Sequence, residues 1–273
     1  MKNIVFFLII SQLCHAQTWV NSIEDAKKVA KATNQFIVID FNATWCQPCK
    51  KMETEFWKNP QYKKTLDKFV LVSVDIDANR ELASRYSVKS IPNVKLVDIN
   101  GNIIHEVQGY ISAQSVNREF EGFPENSENL YETLHFKNDK KPTDEEFLNL
   151  ATSYQVLLQK SQNNSAKYQF LNLSNAFFNK CIKNTHNADF KETSELGKFL
   201  NLTFTGSEKK VIKNLDVSKI SDKNRSFANY ILANVYYEMG NKDEAEKNLI
   251  EIQKINDEQW IYAAKMLKEK FTK

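Results

Sequence analysis

Cys46 and Cys49 are separated by two residues in the stretch FNATWCQPCKKMETEF, residues 41–56, at the start of a predicted helix. A pair at this spacing can form a structural disulfide, contribute half of a metal site, or exchange electrons with other thiols. A structural disulfide here would close a very small loop and would stabilise the fold little. A zinc site needs about four ligands, and the chain has no second C-x-x-C and no paired histidines. Redox chemistry is the favoured use of the pair, although the spacing alone does not exclude the other two.

The composition is that of a folded globular protein with no strongly charged half. The chain has 273 residues, of which 42% are hydrophobic and 26% charged, and its formal net charge is +3. The charge is spread evenly along the chain, so nucleic acid is not an expected partner. The length suits one large domain or two of ordinary size.

The N-terminal residues follow the pattern of a signal peptide. Lys2 precedes the apolar run Ile4–Ile10, and a polar stretch with small residues at Cys14 and Ala16 follows. The run is far shorter than the ~20 residues that span a bilayer. We therefore expect a signal peptide at residues 1–16, cleavage after Ala16, and export to a bacterial periplasm. Cleavage leaves three cysteines, which cannot form a disulfide framework, so the close pair is expected to be chemically active.

Periodicity in residues 17–122 predicts alternating helices and strands. In chain order the predicted elements are NSIEDAKKVAKAT (helix), FIVIDF (strand), the helix from Cys46 to about Asn59, FVLVSVDID (strand), NRELASRYSV (helix), the strands NVKLVDI and IIHEVQG, and SAQSVNREFEGF (helix). The two longest apolar runs are typical of strands buried on both faces, and Asn100-Gly101 is a hairpin signal. The pattern predicts an α/β domain with a mixed sheet, helices on both faces, and a parallel first strand pair.

The remainder of the chain differs from residues 17–122 in composition and periodicity. Residues 123–142 contain few apolar residues and two prolines, and are expected to form a linker. Residues 143–273 show helical periodicity only, which predicts a second, all-helical domain. Within it, residues 230–256 resemble one tetratricopeptide repeat with Gly240 at its turn. Stable arrays need at least three repeats, and no clean second copy is present, so an unrelated helical bundle is the alternative.

The residues around the cysteine pair resemble the thioredoxin superfamily. FIVIDFNATWCQPCKKM resembles its strand–turn–helix active site, KSIPN its loop with a cis-proline, and Asn100-Gly101 its hairpin turn, over residues 18–122. The resemblance implies a redox-active disulfide in which Cys46 attacks the substrate. It also implies that Cys49, one turn deeper and shielded, resolves the mixed disulfide.

Elementary chemistry supports these roles. At a helix N-terminus, unpaired backbone N–H groups and the helix dipole favour a thiolate at Cys46, with a pKa near ~7 where a free thiol has ~8.5. Asp40 places a carboxyl in an apolar strand, and burial there raises its pKa. If the resemblance holds, Asp40 points beneath the dithiol and accepts the Cys49 proton as that thiol attacks. The alternative is an Asp40 that faces the surface.

The resemblance also implies a substrate-binding surface beside the dithiol. Its expected members are Trp45, Pro48, Ile91, Pro92 and Gly109. Pro92 would be the cis-proline, whose loop offers backbone groups to an extended peptide. Pro48 would lie in the first helical turn. Gly109 would let a substrate backbone approach closely, unless it is simply a glycine at a strand end.

Three residues depart from the common pattern of the superfamily. Gln47 replaces its usual glycine between the cysteines, Asn42 replaces a second tryptophan of cytoplasmic thioredoxins, and Ser73 replaces their buried lysine. Loss of a cation near Asp40 should raise the pKa of Asp40 further. Because Gln47 lies between the cysteines, the resemblance does not imply a particular redox potential.

The expected function is that of an exported thiol–disulfide oxidoreductase that reduces protein disulfides without a cofactor or metal. The stretch TWCQPCKKMETEFW also resembles exported thiol-transfer domains that accept electrons from a membrane-embedded donor, which favours the reducing direction. One alternative is a helical protein-interaction module with an accessory redox domain. Another is a disulfide oxidase or isomerase.

Overall fold

The structure, a computed structural model, describes residues 19–134 and 142–272. The predicted signal peptide, residues 1–16, lies outside the described residues. The chain divides into two compact units between Glu121 and Gly122. The first unit contains a β-sheet with helices, and the second is built of helices.

The first unit contains a five-stranded mixed sheet. Its strands are β1 (Trp19–Val20), β2 (Phe36–Asn42), β3 (Phe69–Asp75), β4 (Asn93–Val97) and β5 (Ile103–Gln108). Their order across the sheet is β1-β3-β2-β4-β5, with β3 parallel to β1 and β2, and β4 antiparallel to β2 and β5. The predicted mixed sheet and its parallel first pair are confirmed. The sequence pattern does not predict β1, because two residues are too few to show a period.

Five α-helices accompany the sheet. They are α1 (Ile23–Thr33), α2 (Gln47–Met52), α3 (Lys63–Leu66), α4 (Arg80–Arg85) and α5 (Ala113–Phe120). Ser22 is the N-cap of α1, because its Oγ accepts the Asp25 N–H at 3.1 Å. After α2 the chain forms a π-helical turn, Glu53–Trp57, before a 3₁₀ turn at Pro60–Tyr62. The helix predicted from Cys46 to about Asn59 therefore consists of an α-helical and a π-helical part.

Helices cover both faces of the sheet, as predicted. Phe69 is in register with Phe36, and its ring centroid lies 5.6 Å from that of Phe120 in α5. Phe41 lies five positions after Phe36 in β2, so its side chain points to the opposite face. There the ring centroid of Phe41 lies 5.6 Å from that of Tyr86, at the end of α4.

The hairpin predicted at Asn100-Gly101 is confirmed, because β4 and β5 are antiparallel neighbours in the sheet. Five residues, 98–102, join the strands, and the register shifts beside Val97. The buried Asp98 holds the turn, since its Oδ1 accepts the N–H groups of Asn100 at 2.8 Å and Asn102 at 3.0 Å. Gly101 has a φ of +81°, which favours glycine. A side-chain cap therefore sets this turn, which the Asn-Gly pair alone does not indicate.

The second unit is helical throughout its described residues. Its α-helices are α6 (Leu130–Thr133), α7 (Asp144–Lys160), α8 (Asn164–Asn184), α9 (Ala188–Thr203), α10 (Glu208–Asn214), α11 (Arg225–Glu238), α12 (Lys242–Ile255) and α13 (Glu258–Thr272). Short 3₁₀ turns lie at Val217–Lys219 and Asp222–Asn224. Over residues 19–134 and 142–272, no helix has both the length and the apolar character needed to cross a bilayer.

Part of the expected linker, residues 123–142, is folded. Its first twelve residues include the short helix α6 and four buried apolar side chains, those of Phe123, Leu130, Tyr131 and Leu134. These few apolar residues suffice to bury the segment although its overall composition is polar. Residues 135–141 lie outside the described residues.

The segment that resembles a tetratricopeptide repeat forms two helices, α11 and α12, with Gly240 between them at a φ of +76°. Ala233, Ala245 and Leu249 are buried in one apolar cluster. This arrangement is a helical hairpin, and the repeat assignment stays a prediction.

Candidate active site

Cys46 lies at the junction between the end of β2 and the start of α2. The chain turns after Asn42, with the Cys46 N–H donating to the Ala43 carbonyl at 3.1 Å. Cys46 is the N-cap of α2, and its Sγ accepts the backbone N–H of Cys49 at 3.2 Å. An N-cap side chain normally supplies oxygen to the unpaired N–H groups of a first helical turn. Here a sulfur takes that place, so negative charge on it is stabilised by the helix end.

The two sulfurs form a disulfide, with the Cα atoms 5.3 Å apart. Both cysteines are buried in this oxidised state: Cys46 is 3% exposed and Cys49 8%. They pack with Ala43 against Ile76 and Ile91. In the oxidised form Cys46 is therefore shielded as well as Cys49, because the bond holds both sulfurs against the same apolar residues.

Trp45 and Pro48 flank the disulfide on the outside. Trp45 is 63% exposed, and its indole Nε1–H donates to Asp77 Oδ2 at 2.8 Å. Pro48 is exposed in the first turn of α2, where its missing N–H leaves no bond unmade. Asp77 was not a predicted site residue. It follows β3, and only the pairing of β3 with β2 brings it near Trp45.

The predicted loop beside the cysteines has the expected backbone. The Ile91–Pro92 peptide bond is cis, and Ile91 contacts the cysteine cluster. The Pro92 carbonyl accepts the N–H of Gly109 at 2.8 Å, which ties this loop to the end of β5. Gly109 has a φ of +74°, and a Cβ built there would meet no atom within 4 Å. Its backbone conformation explains the glycine, and close approach by a substrate stays a prediction.

Asp40 is buried in β2, six residues before Cys46. It is 7% exposed and lies opposite Ser73 of β3 and Val94 of β4. Burial raises the pKa of Asp40 to about 7, a hydrogen bond from Asn42 opposes the rise, and the charge of Glu53 adds to it. A carboxyl with this pKa is partly ionised at neutral pH and can accept a proton there. The alternative of a surface-facing Asp40 is wrong.

A cavity of about 530 Å³ joins Asp40 to Cys49. Charged side chains also line it, namely Lys50, Glu53 and Lys58, and Lys58 Nζ pairs with Glu53 Oε1 at 2.6 Å. Cys46 is not among its lining residues. The structure thus brings Asp40, the predicted base, and Cys49 to one cavity. Glu53, one helical turn after Cys49, also lines this cavity and was not predicted from the sequence. Within the described part of the chain, no three His, Cys, Asp or Glu side chains cluster as metal ligands would.

Comparisons with known proteins agree with this geometry. A family model described as Thioredoxin matches residues 18–121. Thioredoxin-1 of Drosophila melanogaster is 41% identical over 66 residues, which cover 24% of this chain and 60% of the fly protein. A thioredoxin of Ophiophagus hannah is 31% identical over 85 residues, covering 30% of this chain and 74% of the snake protein. Protein disulfide-isomerase of Ricinus communis is 37% identical over 86 residues, covering 30% of this chain and 17% of the plant protein.

The chain therefore spans less than two thirds of the fly and plant relatives. The residues that the family model matches lie in the unit that holds the sheet. That unit has the mixed five-stranded sheet, the disulfide at the start of α2 and the cis-proline beside it. Through residues 18–121, the chain belongs to the thioredoxin family.

Proposed function

We propose that this protein is an exported thiol–disulfide oxidoreductase that reduces disulfides in other proteins, with Cys46 and Cys49 as its reacting pair. The observation that carries the proposal is the contact between Cys46 Sγ and the Cys49 N–H at the N-terminus of α2. In the reduced protein this N–H and the helix end stabilise a Cys46 thiolate, the form of the thiol that attacks a disulfide.

The reaction proceeds through a mixed disulfide. The Cys46 thiolate attacks one sulfur of the substrate disulfide, and the other substrate sulfur leaves as a thiolate that takes a proton from water. The Cys49 thiol then attacks Cys46 Sγ, which closes the disulfide seen in the structure and releases the second substrate sulfur. Two electrons pass to the substrate, and the protein is left oxidised.

Asp40 is proposed as the base for the second step. It shares a cavity with Cys49 and has a pKa of about 7. It accepts the Cys49 proton, directly or through water, and returns that proton to solvent through the cavity. This assignment predicts that the second step slows as the pH falls below about 7.

The substrate is proposed to bind across the surface formed by Trp45, Pro48, Ile91, Pro92 and Gly109. Trp45 supplies an exposed aromatic side chain, and the loop at Pro92 lies beside the cysteines through Ile91. An extended peptide can pair with the backbone of such a loop while its side chains contact the aromatic ring.

Export and the reducing direction rest on the sequence. Residues 1–16 have the pattern of a signal peptide, and an exported reductase needs electrons from a donor, for which we propose a membrane-embedded thiol protein. The similarity to a plant protein disulfide-isomerase supports isomerase activity as the second candidate. Equilibration of the dithiol with glutathione separates the two, because a reductase requires the more negative potential.

The helical unit is proposed to select protein clients for the dithiol. Reduction of insulin disulfides by the full chain tests the enzyme proposal against the alternative of a helical interaction module with an accessory redox domain. The wild type should reduce insulin catalytically, and Cys46→Ser and Cys49→Ser should not. Equal turnover by all three proteins would reject the enzyme proposal.

A further inference from the structure

Asn42 links the buried Asp40 carboxyl to the neighbouring strand. Its side-chain Nδ2 donates to Asp40 Oδ2 at 3.0 Å and to Ser73 Oγ at 2.7 Å, and it also approaches the Asp40 carbonyl at 3.1 Å. Asp40 and Asn42 lie two positions apart in β2, so their side chains are on one face of the sheet. Ser73 is the β3 residue in register with Asp40, which places its hydroxyl on that same face.

These three side chains run from solvent into the protein interior. Ser73 is exposed, Asn42 is half-buried and Asp40 is buried. All three line the cavity that also contains Cys49. The Asn42 amide contacts two residues, Asp40 and Ser73, that are held opposite each other by the sheet register. The amide therefore holds one oxygen of the carboxyl in place at the cavity wall.

We infer that Asn42, anchored by Ser73, is a positioning residue that holds the Asp40 carboxyl where it accepts the proton of Cys49. This inference rests on the proposed function. The Asn42 amide and the Ser73 hydroxyl are both neutral. The amide therefore orients the Asp40 carboxylate and stabilises its charge without placing a cation beside it. A hydrogen bond to the charged form of a carboxyl favours that form, and the Asn42 bond acts in this direction on the pKa of Asp40.

The charged side chains that line the Asp40 cavity come from one stretch of chain, residues 50–58. Lys50 lies in α2, Glu53 begins the π-helical turn, and Lys58 directly follows that turn. Glu53 raises the pKa of Asp40, and its pairing with Lys58 at 2.6 Å offsets part of its charge. From β3 and β4, the residues in register with Asp40 are the uncharged Ser73 and Val94. A pH effect of Asn42 substitutions should therefore arise from the lost amide contact.

The step at issue is the closure of the protein disulfide. The Cys49 thiol gives its proton to the Asp40 carboxylate, and the resulting thiolate attacks Cys46 Sγ in the mixed disulfide. A new Cys46–Cys49 bond forms, the bond from Cys46 to the substrate sulfur breaks, and that sulfur leaves with the electron pair. The proton passes from Asp40 to solvent.

Reduced full-length protein mixed with a symmetric aromatic disulfide, dithionitrobenzoate, reports the two steps separately. The first coloured thiolate is released when Cys46 attacks, and the second is released when Cys49 closes the protein disulfide. Stopped-flow absorbance over a range of pH then gives the pH midpoint of each step. In Cys49→Ser the second phase should be absent, which identifies it.

The wild-type second phase should have a midpoint near pH 7, set by Asp40. Asn42→Leu removes the amide at nearly constant volume. It should move this midpoint up by about one pH unit and slow the second phase about fivefold at neutral pH, since a lost hydrogen bond to a charged group is worth about one unit or more. The first phase should be unchanged. Asn42→Gln keeps the amide, so its midpoint should lie between those of the wild type and Asn42→Leu. Ser73→Ala, at an exposed position, should raise the midpoint by less than Asn42→Leu does.

A second-phase midpoint that is the same in wild type, Asn42→Leu and Ser73→Ala would overturn the inference while leaving the proposed function in place. Ser73→Ala alone keeps the test decisive if Asn42→Leu does not fold. Absence of a second phase in the wild type would instead overturn the proposed function and the inference with it.

Discussion

Burial of the Asp40 carboxyl should make the first unit less stable as the pH rises. The ordinary pKa of this group is 3.8, and in the folded protein it is raised to about 7. Between about pH 4 and pH 7 the unfolded chain has therefore lost the proton while the folded chain still binds it. Fewer protons bound in the unfolded state mean that the free energy of unfolding falls with pH over this interval. A difference of about three pKa units corresponds to about 4 kcal/mol.

Asp40→Asn removes this titration and keeps an oxygen that accepts from Asn42. The difference in unfolding free energy, variant minus wild type, should rise by about 4 kcal/mol between about pH 4 and about pH 8. Other titrating groups are common to both proteins and largely cancel in the difference.

Urea denaturation of the oxidised full chain, followed by tryptophan fluorescence, measures this difference. Of the four tryptophans, only Trp260 lies in the helical unit. Placing both proteins in a Trp260→Phe background makes the signal report the first unit alone. A difference that stays constant from about pH 4 to about pH 8 would show that the carboxyl at position 40 ionises as readily in the folded as in the unfolded chain, contrary to this prediction.

Three further substitutions test other parts of the structure. Glu53→Gln removes a charge that raises the pKa of Asp40, so the fall in stability with pH should shrink, by less than about 1 kcal/mol because Glu53 is half-exposed; an increased fall would contradict the assignment. Gly197→Ala would place a Cβ 2.2 Å from the buried Phe178 ring and should cost about 2 kcal/mol or more in thermal unfolding, whereas an unchanged transition would show that the ring has room to move. Trp45→Phe should change stability by less than about 1 kcal/mol, because the side chain is exposed, but should slow insulin reduction about tenfold if the indole is a main substrate contact; full activity would remove it from the proposed surface.

Local signals in the sequence predict most elements of the first unit. The Ser22 cap, the apolar run of β2 and the placement of Cys46 at a helix start all depend on neighbouring residues, and all three are found in the structure. The cis bond at Pro92 is also present, but only the family resemblance predicted it, because no local pattern distinguishes a cis from a trans proline.

Features that depend on contacts between residues distant in the sequence could not be predicted from local patterns. The bridge from Asn42 to Ser73 requires the register of β2 with β3, and a period-two pattern says nothing about which residues face each other across strands. The burial of Leu130 and Tyr131 likewise depends on packing that the composition of the segment does not reveal. The sequence pattern predicts Asp40 in a strand, but its neighbours at the cavity, such as Ser73 and Glu53, are brought there by the fold.

The rate of Cys46 alkylation as a function of pH, measured peptide by peptide in reduced Cys49→Ser protein, shows whether the N-terminus of α2 stabilises a Cys46 thiolate. Peptide resolution separates Cys46 from the buried Cys181. If the N-terminus of α2 stabilises the anion, the rate should rise with a midpoint near pH ~7. A midpoint at or above the ~8.5 of a free thiol would show instead that this helix end does not prepare Cys46 for attack.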